Sequence, residues 1–129
     1  MKFPIINFKY NNLKEAAVLS DLVEQKMQTL TKFLNESKSI TCDVEFEKVA
    51  PHKTGQVHRV EVNMMIDGTL FRAESTEDSF EMAVDEVRNE LDKELRRAKD
   101  KQVSHHKQAG RVAKEQMLDK ATLETVDTD

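Results

Sequence analysis

The sequence predicts an α+β domain of order β-α-β-β-β-α, a four-stranded sheet with two helices packed on one face and the other face open. Three observations carry that prediction. Residues 40–48 and 57–66 alternate apolar and polar side chains, the pattern of half-buried strands. Asp67-Gly68 stands between two such stretches, and this dipeptide favours a type I′ turn because both of its positions need positive φ. Two further segments, after residue 10 and after residue 75, carry apolar residues at the helical period.

The first strand is read over residues 2–10, with Ile6, Phe8 and Tyr10 on one face and Phe3, Ile5 and Asn7 on the other. Pro4 assigns it to an edge, since proline cannot donate to a ladder. Asn11 or Asn12 then caps a helix that runs to about residue 35, with Leu19, Leu22, Val23, Met27, Leu30 and Phe33 or Leu34 as its apolar stripe. In the second strand Ile40, Cys42, Val44 and Phe46 face the core, and Thr41, Asp43, Glu45 and Glu47 face out. The third turns Val60, Val62, Met64 and Ile66 inward. A literal two-residue turn sets Ile66 opposite Thr69, Met64 opposite Phe71 and Val62 opposite Ala73 on the core face. Met65 with Leu70, Asn63 with Arg72 and Glu61 with Glu74 then fall on the outer face.

The second helix is expected to start at Thr76 or Asp78, where Glu77, Asp78 and Glu81 suit the positive end of the helix dipole. Its stripe is Phe80, Ala83, Val84, Val87, Leu91, Leu95 and Ala98, and it is expected to end near residue 101. Two apolar helix stripes and one apolar sheet face cover each other if both helices lie on the same side. Beyond that point apolar residues thin out. Residues 1–101 are therefore read as the domain, and 102–129 as a flexible charged tail with at most a fraying helix around 108–121.

The chain of 129 residues is of single-domain size, 38% hydrophobic and 34% charged. No apolar run is long enough to span a bilayer. A single cysteine, Cys42, excludes an internal disulfide framework and suits a reducing, cytoplasmic compartment; on the apolar face of its strand it reads as a core thiol. His105-His106 lacks the Cys or carboxylate partners of a metal shell, and His52 and His58 have no nucleophile at a telling spacing. Glu45, Glu47, Glu61 and Glu74 read as an ordinary solvated sheet face. With no phosphate-cradling glycine loop either, no enzyme, metal or cofactor is expected.

Charge is unevenly spread. The total is −4, yet residues 93–114 hold eight basic and two acidic side chains, a local +6. Lys93, Arg97 and Lys101 stand four apart on the second helix, flanked by Arg96 and Lys99, with Arg88 further back. Five cations on a rigid rod suit a nucleic-acid backbone, bound through counterion release, and arginine adds bidentate phosphate contacts. The competing reading is a solvated helix face with Asp92, Glu94 and Asp100 as local partners.

The strand and helix order, the Asp67-Gly68 hairpin and the basic second helix together resemble the bacterial ribosome hibernation-promoting and ribosome-associated translation inhibitor family. The matching stretches are residues 24–27 through Lys32-Phe33, Asp67-Gly68 through Ala73, Asp78 through Asp85, and Leu91 through Lys99. The resemblance spans about residues 2–101 and implies a translation inhibitor that occupies the small-subunit messenger and transfer RNA channel by steric blockade. It implies ribosomal RNA contacts from Lys26 and Lys32 in the first helix and from Lys93, Arg96, Arg97 and Lys99 in the second. Glu81 stands where many members carry tyrosine, and Glu90 where lysine is common. The 28 residues after 101 are too few for the dimerisation domain of the family's long subclass; basic and then acidic, they look like the extension of the tail-bearing short subclass.

The expected partner is thus the small ribosomal subunit, with no membrane and no small-molecule substrate, and a monomer when free. Two alternatives are a protein-interaction regulatory module with a merely solvated basic helix, and a general double-stranded RNA binder, whose fold shares an α-β-β-β-α core. The latter separates from the ribosomal reading by whether free duplex RNA competes with ribosomes.

Overall fold

A computed structural model describes residues 3–50 and 52–118, and side chains as far as residue 101. Its elements are β1 (Ile6–Asn11), α1 (Ala17–Met27) continued by a 3₁₀ helix (Gln28–Phe33), β2 (Ile40–Lys48), β3 (His58–Ile66), β4 (Thr69–Glu77) and α2 (Phe80–Leu118). This is the α+β order the sequence predicts. The chain divides into two compact units, Met1–Leu95 and Arg96–Asp129.

In the first unit the sheet runs β1-β2-β3-β4. β1 pairs with β2 in parallel, which a crossover through α1 and the 3₁₀ helix makes possible; the other two pairings are antiparallel. The hairpin register is the one read from Asp67-Gly68: Ile66 with Thr69, Met64 with Phe71, Val62 with Ala73. Asp67 and Gly68 have φ of 49° and 88°, the paired positive values of a type I′ turn. Asp67 does more than turn the chain. Its Oδ1 accepts the Lys38 and Ser39 N–H groups at 2.9 and 2.8 Å, tying the hairpin to the entry of β2.

One contiguous core lies on a single face of the sheet. Cys42, Val44, Phe46, Val60, Val62 and Met64 from the strands meet Val23, Met27, Leu30 and Leu34 from the first helical segment and Ala83, Val84, Val87, Leu91 and Leu95 from α2. Phe46 sits at its aromatic centre, stacked on Phe8 and Tyr10 and edge-on to Phe80.

The first strand starts at Ile6 and not at residue 2, and four further boundaries differ from the sequence reading, each for a local reason. The first helix starts at Ala17 because Asn12 takes a left-handed φ of 64° and its Nδ2 donates to the Lys48 carbonyl at 3.4 Å, so it reverses the chain instead of capping. After Met27 the helix tightens to 3₁₀ geometry, which still buries Leu30. α2 starts after Ser79, whose Oγ accepts the Met82 N–H at 3.2 Å as an N-cap, so Thr76 belongs to β4. At the far end Ala98 is exposed and the buried stripe stops at Leu95, yet the helix continues through Leu118 and not to about 101. Residues 102–118 include Ala, Lys, Arg, Gln, Glu, Met and Leu at most positions, with Gly110 as the weakest former, so local propensity supports a helix that no core stripe announces.

Candidate nucleic-acid interface

Two of the cations picked out by the sequence, Lys26 and Arg88, join one helix to the other. In the first unit, Lys26 of α1 pairs with Asp85 of α2, Nζ to Oδ1 at 2.9 Å. Arg88 of α2 reaches back the other way, its Nε donating to Thr29 Oγ1 at 2.9 Å and an Nη donating to Asn89 at 2.8 Å, with Asp92 at 3.8 Å. Thr29 is fixed by its own bond to the Lys26 carbonyl at 2.7 Å. Two reciprocal contacts therefore clasp the first helical segment to α2. Thr29 was not singled out by the sequence, because nothing in its neighbourhood signals a partner 59 residues away. Lys32 is exposed, its Nζ 5.3 Å from the Phe33 ring centroid, and Lys93 is exposed on α2.

In the second unit Arg96, Arg97, Lys99 and Lys101 are all exposed on α2. Arg96 with Lys99, and Arg97 with Lys101, stand one helical turn apart, the spacing at which side chains become neighbours on a helix surface. Asp100 is the one acidic residue in this stretch. Such an array can take up phosphate oxygens through guanidinium forks and ammonium charges.

The open sheet face has the opposite character. Arg59 lies at its centre with a side chain only 16% exposed, ringed by Glu47 at 3.0 Å, Glu61 at 2.7 Å, Glu74 at 2.5 Å and Glu45 at 3.7 Å. Arg72 closes the network on Glu61 at 2.6 Å and Glu74 at 3.3 Å. Burial works against the charge on both Arg59 and Glu61. The hydrogen bonds win: Glu74 and Glu61 hold the guanidinium above its ordinary pKa, while Arg59 and Arg72 hold the Glu61 carboxyl below its own. The sequence reading of these glutamates as simply solvated is corrected here. They form an ion-pair lattice, and the signal was present: Arg59 shares the outward parity of Glu61 and Glu45.

The other residues weighed in the sequence lie elsewhere in the structure. The Cys42 thiol is buried in the core and pushed up to about 12, by burial first and by Asp43 second. His58 leans edge-on against the Phe80 ring, with Nδ1 3.2 Å from the Glu77 carbonyl oxygen, and His52 is exposed. Among the described residues no group of His, Cys, Asp or Glu is arranged to hold a metal, and no helix is long and apolar enough to cross a membrane. The side chains of His105 and His106 and the chain from 119 to 129 lie outside the described residues.

The family model described as sigma 54 modulation protein / S30EA ribosomal protein matches residues 6–103. The N-terminal domain of Protein Y from Thermus thermophilus superposes with a TM-score of 0.60 at 20% identity, covering 75% of this chain and 98% of that one. A ribosomal subunit interface protein from Coxiella burnetii gives 0.56 at 19% identity, covering 74% and 97%. No curated protein sequence matches.

Proposed function

The chain belongs to the sigma 54 modulation protein / S30EA ribosomal protein family, a ribosome-associated family, and from that premise we propose that it is a non-enzymatic translation inhibitor that occupies the messenger and transfer RNA channel of the small ribosomal subunit. Residues 1–101 would form the binding domain and 102–129 a charged extension. The protein would act in the cytoplasm and would be a monomer when free at low concentration.

The observation that carries this reading is the run of exposed cations on α2, Lys93, Arg96, Arg97, Lys99 and Lys101. With Lys32 they offer about six phosphate contacts. Counterion release then gives a slope of log K against log salt of about −4 to −5. Lys26 and Arg88 are assigned to the helix clasp first and to RNA second, because Lys26 pairs with Asp85 and Arg88 bonds Thr29 across the two helices. Inhibition would need no chemistry: a folded domain in the channel excludes messenger and transfer RNA by volume, and the carboxylates on its open face repel RNA in other orientations.

The test is competition. Small subunits loaded with messenger and initiator transfer RNA are expected to exclude the protein, empty subunits to bind it with the salt slope above, and free duplex RNA not to compete. Equal binding to loaded and empty subunits would refute channel occupancy. Effective competition by duplex RNA would favour a general double-stranded RNA binder.

A further inference from the structure

Among the described residues β4 ends the sheet with one neighbour, β3. The two-residue turn closes on Ile66 and Thr69 as a hydrogen-bonded pair. Thr69, Phe71, Ala73, Ser75 and Glu77 therefore direct their backbone groups to β3, while Leu70, Arg72, Glu74 and Thr76 direct theirs away from the sheet. Edge strands are commonly blunted by proline, bulges or repelling charge. β1, the other edge, is six residues long and follows Pro4 closely. β4 is nine residues long and has no proline, and its outward charges are of opposite sign at adjacent outer positions, Arg72 and Glu74. They remain 51% and 39% exposed despite their contacts within the sheet.

That charge order is self-complementary. An antiparallel copy of β4 must set outward-directed residues opposite outward-directed residues, which leaves three central registers. Centring on Arg72 opposes two arginines, and centring on Glu74 opposes two glutamates. Centring on Ala73 sets Arg72 against Glu74 of the second copy twice over, and Leu70, exposed at 54%, against Thr76. The backbone pattern and the charge order agree on this last register alone.

We propose that β4 pairs antiparallel with β4 of a second copy of this chain, centred on Ala73, to make an eight-stranded sheet across two molecules. Four narrow pairs supply up to about eight backbone hydrogen bonds. A single strand-to-strand contact is small, so the dimer is weak, with Kd on the order of 10 μM to 1 mM. The inference stands on the sheet edge and not on the ribosomal reading, and either can fail without the other.

Sedimentation equilibrium from about 5 μM to 1 mM, combined with amide hydrogen exchange, tests it. A concentration-dependent dimer is expected, with exchange slowing selectively at the Leu70, Arg72, Glu74 and Thr76 amides. Arg72→Glu and Glu74→Arg should each weaken association at least tenfold, and the double swap should restore it to within about threefold. A monomer throughout the range overturns the proposal, as does a double swap no better than its parents. Protection of those four amides only when another protein or the ribosome is added would mean that the edge takes a different strand, and would overturn it equally. The exchange pattern is read on the wild-type chain, so it remains decisive if a charge variant folds poorly.

Discussion

The open sheet face and the α2 segment after Leu95 are both rich in charge, and they use it in opposite ways. On the sheet, strand pairing brings Glu45, Glu47, Glu61 and Glu74 from three strands around Arg59, with Arg72 completing the lattice, so both arginines there are engaged by carboxylate. On α2, four exposed cations within six residues face one acid, Asp100. A pleated surface imposes a fixed register that lets unlike charges be matched across strands, whereas a helix surface offers only neighbours three and four residues away. Net charge is therefore a poor guide to binding in this chain; how the exposed cations are distributed over its surfaces is a better one.

Four changes would break or sharpen this contrast. The largest effect is expected from Leu91→Ala, which removes a fully buried side chain of α2 and should cost about 2–5 kcal/mol in urea denaturation. A cost below about 1 kcal/mol would mean that α2 is held by something other than this core. Arg59→Met comes next. It takes the central cation from four carboxylates, leaving Arg72 to serve Glu61 and Glu74, and should destabilise by about 1–3 kcal/mol near pH 7. Its deficit should shrink at pH 4, because crowded carboxylates bind protons more readily in the folded state than when unfolded. A deficit independent of pH would reduce Arg59 to a packing group.

A smaller effect is expected from Glu61→Gln. The folded-state pKa of Glu61 is depressed, so its stabilisation is present above the unfolded value of about 4.3 and is lost as pH falls through the folded one. The variant should therefore show a flatter acid limb than wild type in stability measured from pH 6 to 3. The smallest change belongs to Lys26→Ala, whose partly exposed pair with Asp85 is worth about 0.2–1 kcal/mol. Its affinity for small subunits should fall less than that of Arg97→Ala. A larger fall would return Lys26 to the RNA surface.

Much of this fold is legible in the chain. Asp67-Gly68 and the alternation on either side of it fix the hairpin to the residue, because turn geometry and burial demand the same register. Other features depend on contacts that a linear reading does not contain. Asn12 looks like a cap and instead turns the chain, since its side chain finds Lys48 across the fold. Helix beyond 101 gives no periodic signal because no core stripe continues there. Lys26 and Arg88 read as free cations for the same reason: the sequence displays charge but not the Asp85 and Thr29 that engage it. Arg59 was within reach, given the outward parity it shares with the glutamates around it.

The most direct test of the central claim, that the exposed cations of α2 bind the ribosome, is co-sedimentation of Arg96→Glu/Arg97→Glu/Lys99→Glu with purified small subunits beside the wild type. Circular dichroism would first establish that the variant is folded. Loss of binding by 100-fold or more in a folded variant, with wild-type binding that weakens steeply with salt, is the result predicted. Undiminished binding of the triple variant would contradict it and move the interface off α2.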